Sequence, residues 1–219
     1  MGALPPWRRV LAVVAHPDDE SFGLGGVIDA LVRAGAEVTV LCLTAGEAST
    51  LGSDDVDLTA LRAAELDVAA RRLGVSGTTL HQHPDGRLGE HPEEVAASVR
   101  EAVDAEAPDG LLVFGAGGGV TGHPDHEAAT TAALAVARDR GLPVLEWCLP
   151  SEVAEHLNGE LGSSFTGFAS AELPIVLTVD RERQRQAIAA HASQAVPGSV
   201  LWRRLELLGD REHLRLTLP

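Results

Sequence analysis

Six apolar residues in a row, VLAVVA at 10–15, stop abruptly at His16-Pro17-Asp18-Asp19. A run this short and continuous suits a strand covered on both faces, as in a parallel sheet, and is too short to cross a bilayer. Parallel strands need crossovers, and the chain supplies them. Phe22, Val27, Ile28, Leu31 and Val32 recur at helical spacing over 22–34 and stop at Gly35, after which 38–43 is again strand-like. The alternation continues with a helix over 58–73, a strand at 78–81, a helix over 92–106, a strand at 110–115, a helix over 124–140 and a strand at 143–149. Right-handed crossovers of this kind predict a Rossmann-like α/β layered fold with a mostly parallel central sheet.

The remaining segments are less regular. Glycines and serines around LGSSFTGFAS break any period, so 151–171 is expected to be a lid-like loop over the sheet edge. Residues 173–179 resume a strand, Asp180 is placed to cap a helix reaching about Ala192, and the tail turns near Gly209-Asp210, with 201–208 open between helix and hairpin. No repeat or low-complexity linker offers a second domain a starting point, so 1–219 is expected to form a single domain.

Charge and composition exclude several functions. A formal charge of −15 argues against nucleic acid or an anionic membrane as partner, because both need a basic surface that releases counterions. The chain has neither lysine nor tyrosine, which removes Schiff-base chemistry and a phenolic general acid. Arg8 and Arg9 before the first apolar run mimic a signal peptide, but the run is too short, and a cytoplasmic strand is the better reading. Cys42 and Cys148 sit in apolar strand-like runs, as buried free thiols in a reducing compartment do.

Chemistry concentrates in two turns. AHPDDES follows the first strand and packs His16, Asp18, Asp19 and Glu20 into five positions, at the strand end where open α/β sheets bind ligands. One carboxylate could serve as a helix cap, but capping does not call for all four groups. GHPDHEAA follows the strand at 110–115 through GAGGGV and brings His123, Asp125 and His126 to the same sheet edge. His123 and His126, three residues apart on a first helical turn, lie side by side. Two imidazoles and one carboxylate with a position left for water are the ligands of a catalytic zinc, although another divalent transition metal would also suit them. Of Asp18 and Asp19, one could ligate while the other accepts a proton; spacing does not say which. Glu47 in TAGEAS, Arg62 on the helix over 58–73 and Asp85 in PDGRL are candidates for binding the substrate's polar groups, with turn formation, ion pairing and solvation as their plain alternatives. His81, His83, His91, His156 and His213 have no partner at ligand spacing. A dinucleotide site is disfavoured, since Gly23, Gly25 and Gly26 do not form GxGxxG and the preceding carboxylates would repel a pyrophosphate.

AHPDDES, Arg62 in RAAELDVAARRLG, PDGRL, GHPDHEAA and the late HASQ at 191–194 together resemble the zinc-dependent de-N-acetylases of the LmbE and PIG-L type, over about residues 9–194. The resemblance implies His16, Asp19 and His126 as zinc ligands, Asp18 as general base, and His123, oriented by Asp125, as general acid or electrophile. It also implies a small-molecule substrate, an N-acylated amino sugar or its conjugate. An amidase of thiol-sugar conjugates and a non-catalytic sugar- or metal-binding relative are the competing readings. Self-association and the roles of His191 and Gln194 stay open.

Overall fold

The computed structural model describes residues 3–51 and 57–219. Its elements are β1 (Arg9–Val14), α1 (Asp19–Phe22), α2 (Gly25–Arg33), β2 (Glu37–Thr44), α3 (Leu58–Leu73), β3 (Gly77–His83), α4 (Pro92–Glu106), β4 (Gly110–Phe114), α5 (Pro124–Arg140), β5 (Val144–Pro150), α6 (Ser151–Leu161), β6 (Gly167–Phe168), β7 (Ile175–Thr178), α7 (Glu182–Ile188), α8 (Val200–Leu208) and β8 (Arg211–Thr217). The sheet order is β3-β2-β1-β4-β5-β8-β7, with β6 beside β5. Strands β3 to β5 along that order run parallel, and β8 and β7 close the edge antiparallel. This is the expected α/β fold with a mostly parallel sheet.

β1 shows why its sequence is apolar throughout. Val10, Ala12 and Val14 join the core formed with α2 and α3, while Leu11, Val13 and Ala15 join the one formed with α4 and α5. Successive side chains point to opposite faces, so both parities must be apolar when helices cover both. From β1 the chain first adds strands toward β3, then returns to add β4 on the other side, which makes the β1/β4 edge a topological switch point. Both motif turns leave the sheet there.

Several local expectations are corrected. The helix expected over 22–34 is two helices, α1 and α2, broken at Gly23 and Leu24. A Cβ on Gly23 would lie 2.3 Å from the Phe114 ring, so glycine permits the close approach of this turn to β4. Residues 151–161, expected as loop, form α6, which buries Ala154 and Leu157 and ends on Gly162 in the left-handed region at φ 64°. Its signal was four apolar positions, Val153, Ala154, Leu157 and Leu161, followed by a Gly/Ser-rich stretch that masked them. Asn158 organises that stretch, donating from Nδ2 to Phe165 O at 2.9 Å and accepting Phe165 N–H at 2.7 Å. The helix expected from Asp180 to about Ala192 is shorter, and Asp180 Oδ1 accepts Glu182 N–H at 3.0 Å. Residues 201–208 are helical. Cys42 and Cys148 are free and buried, and burial pushes Cys148 up to about 12. No described helix is long and apolar enough to cross a membrane.

Glu146 on β5 links the antiparallel edge to the glycine loop leading to the second motif. Only 1% exposed, it accepts Ala116 N–H at 2.8 Å, Arg215 Nη2 at 2.6 Å and Thr217 Oγ1 at 2.5 Å. Burial pushes its pKa up, but these donors outweigh it and leave the carboxyl below its ordinary value. A depressed folded-state pKa contributes stability above the unfolded value, near 4.5, that is lost as pH falls through the folded one. Glu146→Ala is expected to cost about 3 kcal/mol at neutral pH, roughly 6–12 °C in Tm. Thermal melts at pH 7 and below 4 check it, because the gap from wild type should narrow in acid.

Candidate metal centre

The first motif turns on one unusual residue. Pro17 disfavours helical geometry at His16, and Asp18 then adopts φ 127°, ψ −24°, a region L-residues rarely enter, before α1 begins at Asp19. This fold-back lets Asp19 Oδ2 accept the His16 N–H at 2.9 Å. The second motif arrives through Gly117, Gly118, Gly119 and Gly122, all at positive φ. His123 N-caps α5, its Nδ1 accepting Asp125 N–H at 3.2 Å, and Pro124 takes the first helical position. His126 on that first turn faces His16.

Donor atoms of three residues converge. His16 Nδ1 is 3.1 Å from His126 Nε2, His126 Nε2 is 3.1 Å from Asp19 Oδ1, and His16 Nδ1 is 3.5 Å from Asp19 Oδ2. His16, Asp19 and His126 are each 7–8% exposed. Donors at the corners of a tetrahedron around a metal stand roughly 3.3–3.5 Å apart, given bonds near 2.0–2.1 Å. Outer partners meet the other ring nitrogens. His16 Nε2 lies 3.0 Å from Asp85 Oδ1 and 3.4 Å from Asp125 Oδ2, so it carries the proton, and His126 Nδ1 lies 2.6 Å from Thr121 Oγ1. With its proton on Nε2, His16 can turn the Nδ1 lone pair toward the space shared with His126 Nε2, 3.1 Å away, where both nitrogens could ligate a cation. The donor set fits a divalent metal, with His16 backed by carboxylates and His126 by a hydroxyl. His16, His123 and His126 also bring ligand atoms within 4.8 Å of one another, as do His16, Asp85 and Asp125.

Buried carboxylates dominate the local charge. Burial pushes His16 down, yet hydrogen bonds with Asp125, Asp19 and Asp85 outweigh it and hold the ring well above an ordinary histidine. Burial raises Asp19, but His126 and His16 bring it well below the carboxylate range. Asp18, beside the donor set, is pushed up to about 6 by burial, against the pull of the Arg62 guanidinium. His123 is exposed, its ring 4.8 Å from that of His16, and partial burial and the neighbouring histidines lower it.

Some expected roles move. The Asp125 carboxylate does not orient the His123 ring. It accepts Gly86 N–H at 2.7 Å and Leu88 N–H at 3.0 Å and faces His16, because the first turn of α5 points it into the PDGRL loop. Asp85 likewise spends Oδ1 on His16 and Oδ2 on Ala48 N–H at 2.9 Å. Arg62 is 3% exposed and donates to Gly46 O at 2.7 Å, Pro17 O at 2.5 Å and Asp18 Oδ2 at 3.3 Å, so it clamps two loops rather than facing a sugar. A Cβ on Gly46, at φ 67°, would lie 2.1 Å from that guanidinium. Glu47 is exposed and accepts Asp85 N–H at 2.9 Å, at the rim where a ligand can reach it.

Thr121 went unnoticed in the sequence because one hydroxyl in a glycine-rich loop carries no pattern. Its partnership with His126 gives Thr121→Val an expected 10- to 100-fold weaker metal affinity, roughly. Competition with a chromophoric chelator measures it, and an unchanged affinity would remove Thr121 from the site.

A doubly wound α/β sheet with a buried His/Asp donor set at its switch point describes a metal-site hydrolase. Comparison with known proteins narrows the class. The family model described as PIG-L: GlcNAc-PI de-N-acetylase matches residues 11–137, more than half of the chain. The 1D-myo-inositol 2-acetamido-2-deoxy-alpha-D-glucopyranoside deacetylase of Nakamurella multipartita is 30% identical over 88% of this chain and 82% of its own length. Its Kineococcus radiotolerans namesake is 34% identical over 68% of this chain and 50% of its own length. The crystal structure of the zinc-inhibited form of teicoplanin deacetylase Orf2 shares the fold at a TM-score of 0.71, covering 96% of this chain and 98% of that one at 22% identity. The chain belongs to the PIG-L de-N-acetylase family, and it is a deacetylase, a hydrolase of amide C–N bonds.

Proposed function

We propose that the protein removes an acetyl or related acyl group from the nitrogen of an amino sugar, with an inositol-linked N-acetylglucosamine as the first substrate to test. The observation that carries this reading is the convergence of His16 Nδ1, Asp19 Oδ1 and His126 Nε2 with Asp18 beside them. The inositol-sugar deacetylases among its relatives motivate the substrate.

Zinc is the metal proposed for His16, Asp19 and His126, and when bound it supplies Lewis-acid polarisation of the amide carbonyl and of water. Asp18 is the base. Its carboxylate takes a proton from water as the water oxygen bonds to the carbonyl carbon. Arg62, 3.3 Å from Asp18 Oδ2, keeps that carboxylate ionised and in place. The His123 Nδ1 lone pair is engaged by Asp125 N–H, so the neutral ring carries its proton on Nε2. That N–H donates a hydrogen bond to the developing oxyanion, and the proton that Asp18 took from water passes to the departing nitrogen. The C–N bond breaks, the amine leaves with the proton from Asp18, and the acyl group leaves as the acid, which loses its own proton to give the carboxylate. Asp85 and Asp125 hold the His16 tautomer, while Glu47 at the rim accepts from sugar hydroxyls. The buried free thiols fit a protein working in a reducing cytoplasm as one unit over 1–219.

The test is amine release on N-acetylglucosaminyl inositol, N-acetylglucosamine and an N-acylated thiol conjugate, with metal content measured on the same preparation. Turnover of the inositol-linked sugar above the others supports the proposal. Preference for the thiol conjugate would move the substrate class, and metal retention without turnover of any amide would favour a binding role.

A further inference from the structure

The proposed base stands on a main chain that something must hold. Asp18 occupies φ 127°, where an L-residue is strained, and its own side chain makes no capping bond to α1. Its N–H donates instead to Glu20 Oε2 at 2.9 Å. Glu20 is completely buried, and its other oxygen accepts Ser21 Oγ at 2.5 Å and His191 Nε2 at 2.7 Å. His191 is also completely buried, and its Nδ1 has no hydrogen-bond partner. Neither residue joins the converging donor atoms of the metal centre.

His191 is itself anchored. Its carbonyl accepts Gln194 N–H at 2.9 Å and Ala195 N–H at 2.8 Å, forming a tight turn. That turn is fixed to α3 through Ser193 Oγ on Glu65 at 2.6 Å, and to the loop after β2 through Ser49 Oγ on Gln194 Oε1 at 2.8 Å. The chain of contacts runs from a rigid turn, through an imidazole and a carboxylate, to the one amide whose position sets where the Asp18 side chain leaves the backbone.

We infer that Glu20 and His191 form a buried brace that clamps the Asp18 main chain and thereby aims its carboxylate: both are positioning residues for the proton transfer. The inference rests on the reading of Asp18 as the base. A forked side chain is needed because one arm must reach back to Asp18 N–H while the other meets the histidine and the serine. A carboxamide at position 20 retains an acceptor for Asp18 N–H, and neutral His191 can accept from its amide nitrogen. Alanine retains neither contact.

Purified full-length variants, each checked for metal content and thermal transition, are assayed for kcat and KM on the best amide substrate. Misplacing a reacting group by a fraction of an ångström to one ångström lowers rates by up to about 100-fold. Glu20→Ala should therefore lose roughly 10- to 100-fold in kcat with KM and metal content near wild type. Glu20→Gln should recover kcat to within about threefold, because the brace is geometric. His191→Phe, which fills the space without a donor, should fall in kcat in the same way as Glu20→Ala and serves in its place if that protein does not fold. Wild-type kcat in Glu20→Ala or His191→Phe would overturn the brace, as would a Glu20→Gln loss as deep as that of Asp18→Asn. An active Asp18→Asn protein marks the separate failure of the base assignment.

Discussion

Asp18→Asn is expected to leave a folded, metal-replete protein whose kcat is lower by roughly 10²- to 10⁴-fold, about 3 to 5.5 kcal/mol of barrier. Asparagine nearly matches aspartate in shape and keeps an oxygen for Arg62, which lies 3.3 Å from the Asp18 carboxylate. It cannot accept the proton of water. KM should change little, because the substitution removes a group that acts in the transition state and leaves the binding surface in place. Initial rates and metal content on one preparation check it. A variant that lost its metal would instead place Asp18 among the ligands.

Asp19→Asn and His126→Ala should behave in the opposite way. Each removes one of three facing donors, and a site of two remaining protein ligands holds a divalent ion weakly. Activity and metal content should fall together by at least 100-fold at low metal, roughly, and Asp19→Asn should recover part of its rate when metal is added, since the amide oxygen is a poorer ligand without charge. Metal titration followed by amine release measures both. Full retention of metal in His126→Ala would sink the ligand set.

The alternation of strands and helices and the two motif turns were readable because they rest on local rules. A run such as 10–15 is apolar at both parities only when helices cover both faces, and His16-Pro17-Asp18-Asp19 can only be a turn after it. Contacts between distant segments were not readable. Nothing in PDGRL says that Asp85 faces His16, and the orientation of His123 by the Asp125 carboxylate, implied by the family resemblance, gives way to bonds with the Gly86 and Leu88 amides. Arg62 on an amphipathic helix looked available to a sugar, but its guanidinium closes the space left by Gly46 and binds two main-chain carbonyls. His191 stood in a recognisable motif without a role, because its partner Glu20 lies 171 residues away. Residues 151–161 failed for a local reason, a glycine-rich neighbour hiding a helix with few apolar positions.

The central claim is that the metal sits on the Nδ1 side of His16, against Asp19 and His126. The Nε2 side offers the rival set of Asp85 and Asp125. Their oxygens already accept Ala48, Gly86 and Leu88 amides, which suits them to backing a ligand histidine. Anomalous diffraction above the zinc edge, from crystals grown with one equivalent of zinc, decides between the two sides. A single peak at about 2.0–2.2 Å from His16 Nδ1, Asp19 and His126 Nε2 is the expected result; a peak bonded to His16 Nε2, Asp85 and Asp125 would contradict it.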